Sequence, residues 1–306
     1  MITAFLDHAS TLAGQFKALD GRFLLCALVL QVSNLALRGL AWRNVIAAAY
    51  PDQRVSYPSI VGSYVAGVAL NTFTPGRAGE LAKILFARTR IVGSTVPTIA
   101  ASLSVVLVFD ALVGGALVAA LLAGGTAPGI PGPGAGMLVT AGGAGALVAL
   151  AVGLAARRST RARQVLARAW TGLAVVRTPA RFLRGVALVQ LGAWACRIGV
   201  VMLVLAAFGI RPTPSSAVLV LVAGGLSTAV PVPGGGGAQQ VLVAYALHST
   251  VSLSQAVSFS IGMQAGVALV NSLVGITALM LMFRTLTPAA ALRSARAVAR
   301  DRGGSS

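Results

Sequence analysis

The chain has 306 residues, 57% of them hydrophobic and 10% charged, and its 24 basic and 6 acidic side chains give a net charge of +18. A soluble domain of this size carries about 25% charged residues, so a soluble globular protein is excluded. The recurring long apolar runs describe a polytopic membrane protein. The positions of the positive charges argue against nucleic-acid binding. Eight arginines (Arg157, Arg158, Arg161, Arg163, Arg168, Arg177, Arg181 and Arg184) fall in one segment without an acid, and five more (Arg284, Arg293, Arg296, Arg300 and Arg302) in the C-terminal tail. Clusters of this kind beside apolar runs read as cytoplasmic topology signals and as contacts for anionic lipid headgroups. Cys26 and Cys196 each lie inside an apolar run, a placement that supports neither a disulfide framework nor a metal site.

In chain order, residues 1–22 carry Asp7 and Asp20 and no basic n-region, which predicts an interfacial segment rather than a cleaved signal. The first membrane run, 23–49, holds Gln31, Asn34, Arg38 and Arg43. A second run, 58–74, stops at Pro75-Gly76 and is followed by a short charged helix over 78–90, which contains the chain's one glutamate, Glu80, with Lys83, Arg88 and Arg90. The apolar run 96–123 is interrupted by Asp110. A charge-free Gly/Pro linker (124–136), a helix over 137–156 and the arginine-rich segment 157–184 come next. An apolar helix over 185–208, a run at 215–232, the break PVPGGGG (231–237), a short segment at 238–248 and a final helix over 255–283 complete the membrane region.

The same punctuation recurs in two halves, 23–123 and 185–283, at an offset of roughly 160 residues. Gln31 and Arg38 are seven apart, as are Gln190 and Arg197. Val65-Ala66-Gly67 precedes Pro75-Gly76 as Val222-Ala223-Gly224 precedes Pro233-Gly234. Asp110-Ala111-Leu112-Val113-Gly114 matches Asn271-Ser272-Leu273-Val274-Gly275. If 58–90 and 215–248 are broken elements that enter the membrane and return on one side, each half crosses twice and helix 137–156 adds a crossing. The expected fold is therefore all-α and polytopic, with two inverted repeats of ~100 residues, about five full crossings and two re-entrant helix pairs (roughly seven or eight apolar segments). The domain boundaries follow as 1–22, 23–123, 124–184, 185–283 and a basic tail, 284–306. The positive-inside rule places 157–184 and the C-terminus in the cytoplasm.

Irregular backbone at membrane depth survives only against protein or a wet cavity, and paired Pro/Gly interruptions point to a transport site. The breaks here are FTPGRAGE (73–80) and VPVPGGGGAQQ (230–240), each followed by a short helix whose N-terminus favours anions. Arg77 could grip a headgroup phosphate. Glu80 could pair with Arg77, Lys83 or Arg38, since an ionised side chain at mid-membrane costs about 2.5–3.5 kcal/mol and faces a partner or water. Asp110 is either a site residue or one half of a structural ion pair with Arg38 or Arg197. In the second break Gly235, Gly236 and Gly237 allow close backbone approach, and Gln240 offers a neutral amide.

At these residues the chain resembles the lysylphosphatidylglycerol synthase transmembrane-region family of flippase-like membrane domains. Its Pro-x-Arg-x-Gly-Glu block stands here as Pro75-Gly76-Arg77-Ala78-Gly79-Glu80, with Lys83 three residues on. Asp110 fits the acid of the family's Arg-x-x-Asp pair, with Leu107 in the arginine's place. The family's Pro-Gly-Gly-x-Gly-x-x-Glu block reads Pro233 to Gln240, with Gln240 in place of glutamate. The resemblance implies a lipid substrate and places Arg77, Gly79, Glu80, Lys83, Asp110, Gly235, Gly236, Gly237 and Gln240 at the binding site. Long members carry a soluble aminoacyl-transfer domain, for which 306 residues leave no room, so lipid synthesis is not expected.

The expected function is movement of an anionic phospholipid or polyprenyl or glycolipid headgroup between leaflets of the cytoplasmic membrane, without cofactor, metal or catalysis. His8 and His248 are far apart in sequence, and no nucleotide-binding loop is present. The alternatives are a non-catalytic lipid-binding subunit serving a lipid-modifying enzyme partner, or a small-solute transporter.

Overall fold

A computed structural model describes residues 20–73, 78–123, 160–227, 237–247 and 250–284, and the secondary structure among them is helical. The helices are α1 (Gly21–Ala49), α2 (Tyr57–Phe73), α3 (Ala78–Arg88), α4 (Val96–Ala123), α5 (Thr160–Gly172), α6 (Pro179–Ala207), α7 (Pro214–Ser227), α8 (Ala238–Leu247) and α9 (Leu253–Phe283). Helix α6 contains a π turn, Leu183–Ala187.

Four helices among the described residues, α1, α4, α6 and α9, are long and apolar enough to cross a membrane, with apolar stretches of 26 to 31 residues. At ~1.5 Å per residue each exceeds the roughly 30 Å hydrocarbon core. They coincide with the runs 23–49, 96–123, 185–208 and 255–283. The expected crossing at 137–156 and the segment before residue 20 lie outside the described residues, as do residues 74–77 and 228–236 of the breaks and the tail after 284. Among the described residues, helices α2, α3, α7 and α8 cover 17, 11, 14 and 10 residues, against the ~20 a spanning helix needs.

Local chemistry sets several helix ends. Helix α6 ends at Ala207 and is closed by Gly209, whose φ of +68° fits a left-handed cap; the Gly209 and Ile210 N–H groups donate back to the Ala206 and Leu205 carbonyls at 2.9 Å each. Helix α9 is capped by Ser252, whose hydroxyl accepts from the Gln255 N–H at 3.3 Å. The arginine-rich stretch is more helical than its composition suggests. All of 160–172 is α5, and Pro179 opens α6 six residues before the apolar run begins, since proline is pre-organised at a helix start.

The chain divides into two compact units, Met1–Gly39 with Val61–Leu85 and Leu191–Ser306, and Leu40–Ile60 with Phe86–Gln190. In the first, α6 to α9 enclose an apolar core that includes Val201, Leu205, Val220, Val243, Leu247 and Phe259. Phe208 stands edge-on to Phe259 with centroids 5.8 Å apart. Helix α7 packs on α8, and α8 on α9. Small residues permit close approach between membrane helices; a Cβ on Gly275 of α9 would run into the Ala69 Cβ and sit 2.8 Å from the Val65 carbonyl of α2. In the second unit α4 packs on α5, with the Thr98 hydroxyl donating to the Arg168 carbonyl at 2.9 Å. Trp42 is fully buried there, and its indole N–H donates to Ser102 at 3.0 Å.

Candidate functional site

Helices α2 and α3, on either side of the first break, pack antiparallel as a hairpin. Asn71, on the last turn of α2, uses both ends of its amide on α3. Its Oδ1 accepts from the Gly79 N–H at 2.7 Å, and its Nδ2 donates to Glu80 Oε1 at 3.0 Å. The first N–H groups of a helix have no partner within it, so Asn71 caps α3 from a neighbouring helix and occupies one of the donors expected to face a ligand. The two arms meet through glycines. A Cβ on Gly79 would collide with the Gly67 carbonyl and Asn71 Oδ1, and one on Gly67 would collide with the Lys83 side chain.

Lys83 is 3% exposed, which for a lysine demands a partner. Its Nζ lies 2.8 Å from Glu80 Oε1 and 4.3 Å from the centroid of the Tyr64 ring. The Tyr64 hydroxyl in turn accepts from Arg38 Nε at 2.7 Å. Among the partners the sequence leaves open for Glu80, Lys83 is thus in direct contact. Glu80 Oε2 is buried and has no hydrogen-bond partner among the described residues, and Arg77, three positions earlier, lies outside them. The result is a continuous chain of contacts, Arg38, Tyr64, Lys83, Glu80, Asn71 and Gly79, built from α1, α2 and α3.

The second hairpin, α7 with α8, uses neutral chemistry. Gly237 precedes α8 with φ +64°, and its carbonyl accepts from the Val241 N–H at 3.0 Å. Gln240 Nε2 donates to Gln264 Oε1 of α9 at 2.6 Å, while Gln240 Oε1 is buried without a partner among the described residues. Gly235 and Gly236 lie outside the described residues.

Asp110 belongs to the second unit, where its Oδ1 accepts from Gln190 Nε2 at 3.3 Å. Gln190 is fully buried and also donates to the Val106 carbonyl at 3.3 Å. In the first unit Gln31 Nε2 donates to Asn271 Oδ1 at 2.9 Å. Gln31 matches Gln190 in the sequence, and Asp110 matches Asn271. Each glutamine therefore bonds the counterpart of the other's partner. The guanidinium of Arg197 lies over the Trp194 ring, 5.1 Å from its centroid.

Sequence reasoning missed Tyr64, Asn71 and Gln264. For the first two a signal exists, because Tyr64, Gly67 and Asn71 fall at helical spacing on one face of an otherwise apolar helix. Among the described residues no three His, Cys, Asp or Glu side chains come together as metal ligands.

A model of the lysylphosphatidylglycerol synthase TM region matches residues 2–275 of this chain. No curated protein and no solved structure matches it. The chain belongs to the lysylphosphatidylglycerol synthase transmembrane-region family.

Proposed function

We propose that this member of the family is a non-catalytic transporter that moves an anionic phospholipid, polyprenyl or glycolipid headgroup between the leaflets of the cytoplasmic membrane. The observation that carries the proposal is the Glu80–Lys83 pair, its lysine buried, in a hairpin whose arms cover 17 and 11 residues among those described, short of a span. In this reading the hairpin re-enters the membrane, and the ion pair lies at depth, where charge persists only against partners or water. Glu80 offsets Lys83, which leaves the charges of Arg38 and of Arg77, the latter at the break, as the net positive charge. One guanidinium beside the N-terminal end of α3 suits a singly charged phosphodiester.

Two further features support the reading. The α2–α3 and α7–α8 hairpins fall at corresponding places in the two halves, as inverted repeats require. The Gln31–Asn271 and Gln190–Asp110 bonds exchange partners between halves, as a two-fold relation between repeats would produce. The topology proposed with it keeps 157–184 and the C-terminus cytoplasmic.

The test is headgroup accessibility in proteoliposomes. Purified protein is reconstituted with fluorescent lipids of different headgroups and exposed to membrane-impermeant dithionite. Quenching beyond the outer-leaflet half, lost in Arg77→Ala and in Glu80→Gln with folding intact, is the expected result. Unchanged movement in both variants would remove the site assignment. Lipid retention without movement would favour the accessory-subunit reading.

A further inference from the structure

The second unit contains a cleft of about 670 Å³ between the C-terminal end of α1 and the first turns of α6. Sites for small molecules run from about 300 to 1,000 Å³, so the volume suits a headgroup. Three of its lining side chains, Arg43, Arg181 and Arg184, are guanidinium groups, and none is a carboxylate. Asp52, beside the lining residue Pro51, is exposed and does not line the cleft.

The wall is organised rather than a loose patch. Arg43 Nε donates to the Val55 carbonyl at 2.9 Å and its Nη1 to Asn44 Oδ1 at 3.2 Å. Asn44 Nδ2 donates to the Gly185 carbonyl at 2.8 Å, inside the π turn of α6. These bonds fix the plane of Arg43 while using two of the five N–H donors a guanidinium carries. π turns recur at functional sites, and this one starts between Arg181 and Arg184, which are both exposed. A fixed fork with two adaptable cations beside it matches the geometry by which arginine binds phosphate.

We infer that this cleft binds the phosphate of an anionic phospholipid headgroup. Phosphate is the shared chemistry of a lipid and of the free anion, and two features favour the lipid. Helices α1 and α6 are both of membrane-spanning length, and the cleft lies at the C-terminal end of one and the N-terminal end of the other, the ends that reach a bilayer surface when such helices span it. Leu183 and Leu188, 55% and 56% exposed, continue along α6 from the cleft and offer apolar surface to acyl chains. The site shares no residue with the α2–α3 hairpin and does not depend on transport.

Native mass spectrometry of the full-length protein released from detergent tests this, with phosphatidylglycerol, phosphatidylcholine and inorganic phosphate as probes. The Arg181→Gln/Arg184→Gln variant is compared with Arg293→Gln/Arg296→Gln, which removes the same charge from the tail. Thermal unfolding checks that both fold. Retention of phosphatidylglycerol should weaken about tenfold or more in the cleft variant and far less in the tail variant, whose arginines meet lipid only as surface charge, with phosphatidylcholine held more weakly throughout. Millimolar inorganic phosphate should leave the lipid bound. Full displacement by it would assign the cleft to the free anion instead. Equal losses in the two variants, or none in the cleft variant, would overturn the site.

Discussion

The two hairpins stand at corresponding places in the chain and hold themselves together by different means. The α2–α3 hairpin buries a lysine against a glutamate and a tyrosine ring, with an asparagine bridging the arms. The α7–α8 hairpin packs through apolar side chains such as Val220, Ala223 and Val243, and an amide pair, Gln240 with Gln264, joins it to α9. A short hairpin in this protein therefore folds without an ion pair. Burying charge is costly even when it is paired, and a well-packed neutral substitute is often as stable. The charges of the first hairpin thus exceed what its fold requires, which supports placing the ligand contact there.

The sharpest way to test that contrast is to remove one partner of the pair. Glu80→Ala would leave Lys83, 3% exposed, without its carboxylate, and breaking a buried pair in this way costs about 3–5 kcal/mol. Glu80 is itself 26% exposed, which puts the expected loss toward the lower end. Glu80→Gln/Lys83→Met, which removes both charges, should recover much of the stability without restoring lipid movement. Thermal unfolding of purified protein measures the first effect and dithionite quenching the second. A double variant as unstable as Glu80→Ala would mean that the pair is structural, and the contrast between the hairpins would lose its functional meaning.

How far the sequence announced this arrangement differs between elements. The four long helices were legible because a predominantly apolar run of more than 20 residues, even with an isolated charge such as Asp110 in it, matches the thickness of a bilayer and little else. The Glu80–Lys83 contact was foreshadowed by three-residue spacing. Tyr64 and Asn71 were not recognised, because a polar residue in an apolar helix identifies a face but not its neighbour. Only the return of α3 against α2 brings Asn71 to Gly79. The start of α6 at Pro179 was hidden by Arg181 and Arg184, which composition assigns to a loop. Arginine is a good helix former whose long side chain can carry its charge toward water, so both fit the first turns of a membrane helix.

A glycine comparison probes packing alone. Gly79→Ala places a Cβ against the Gly67 carbonyl and Asn71 Oδ1, and overpacking of this kind costs about 1–3 kcal/mol. Gly224→Ala on α7 meets nothing closer than Gln239 Nε2 at 3.8 Å. Alanine there should be neutral, or stabilising by up to about 1 kcal/mol, because glycine is a poor helix interior residue. Equal unfolding midpoints for the two variants would mean that the first hairpin is not the tighter one.

The smallest effect belongs to Gln240→Leu. It removes the Gln240–Gln264 bond, and a single neutral hydrogen bond contributes about 0.5–1.5 kcal/mol. It also removes Gln240 Oε1, a buried acceptor without a partner among the described residues, whose burial is itself unfavourable. The two changes oppose each other, so the net loss should fall below about 1 kcal/mol, and lipid movement in proteoliposomes should persist. Loss of movement with the fold intact would make the neutral hairpin as necessary to function as the charged one. Gln240 would then join Glu80 as a ligand contact, and the site would be shared between the two breaks.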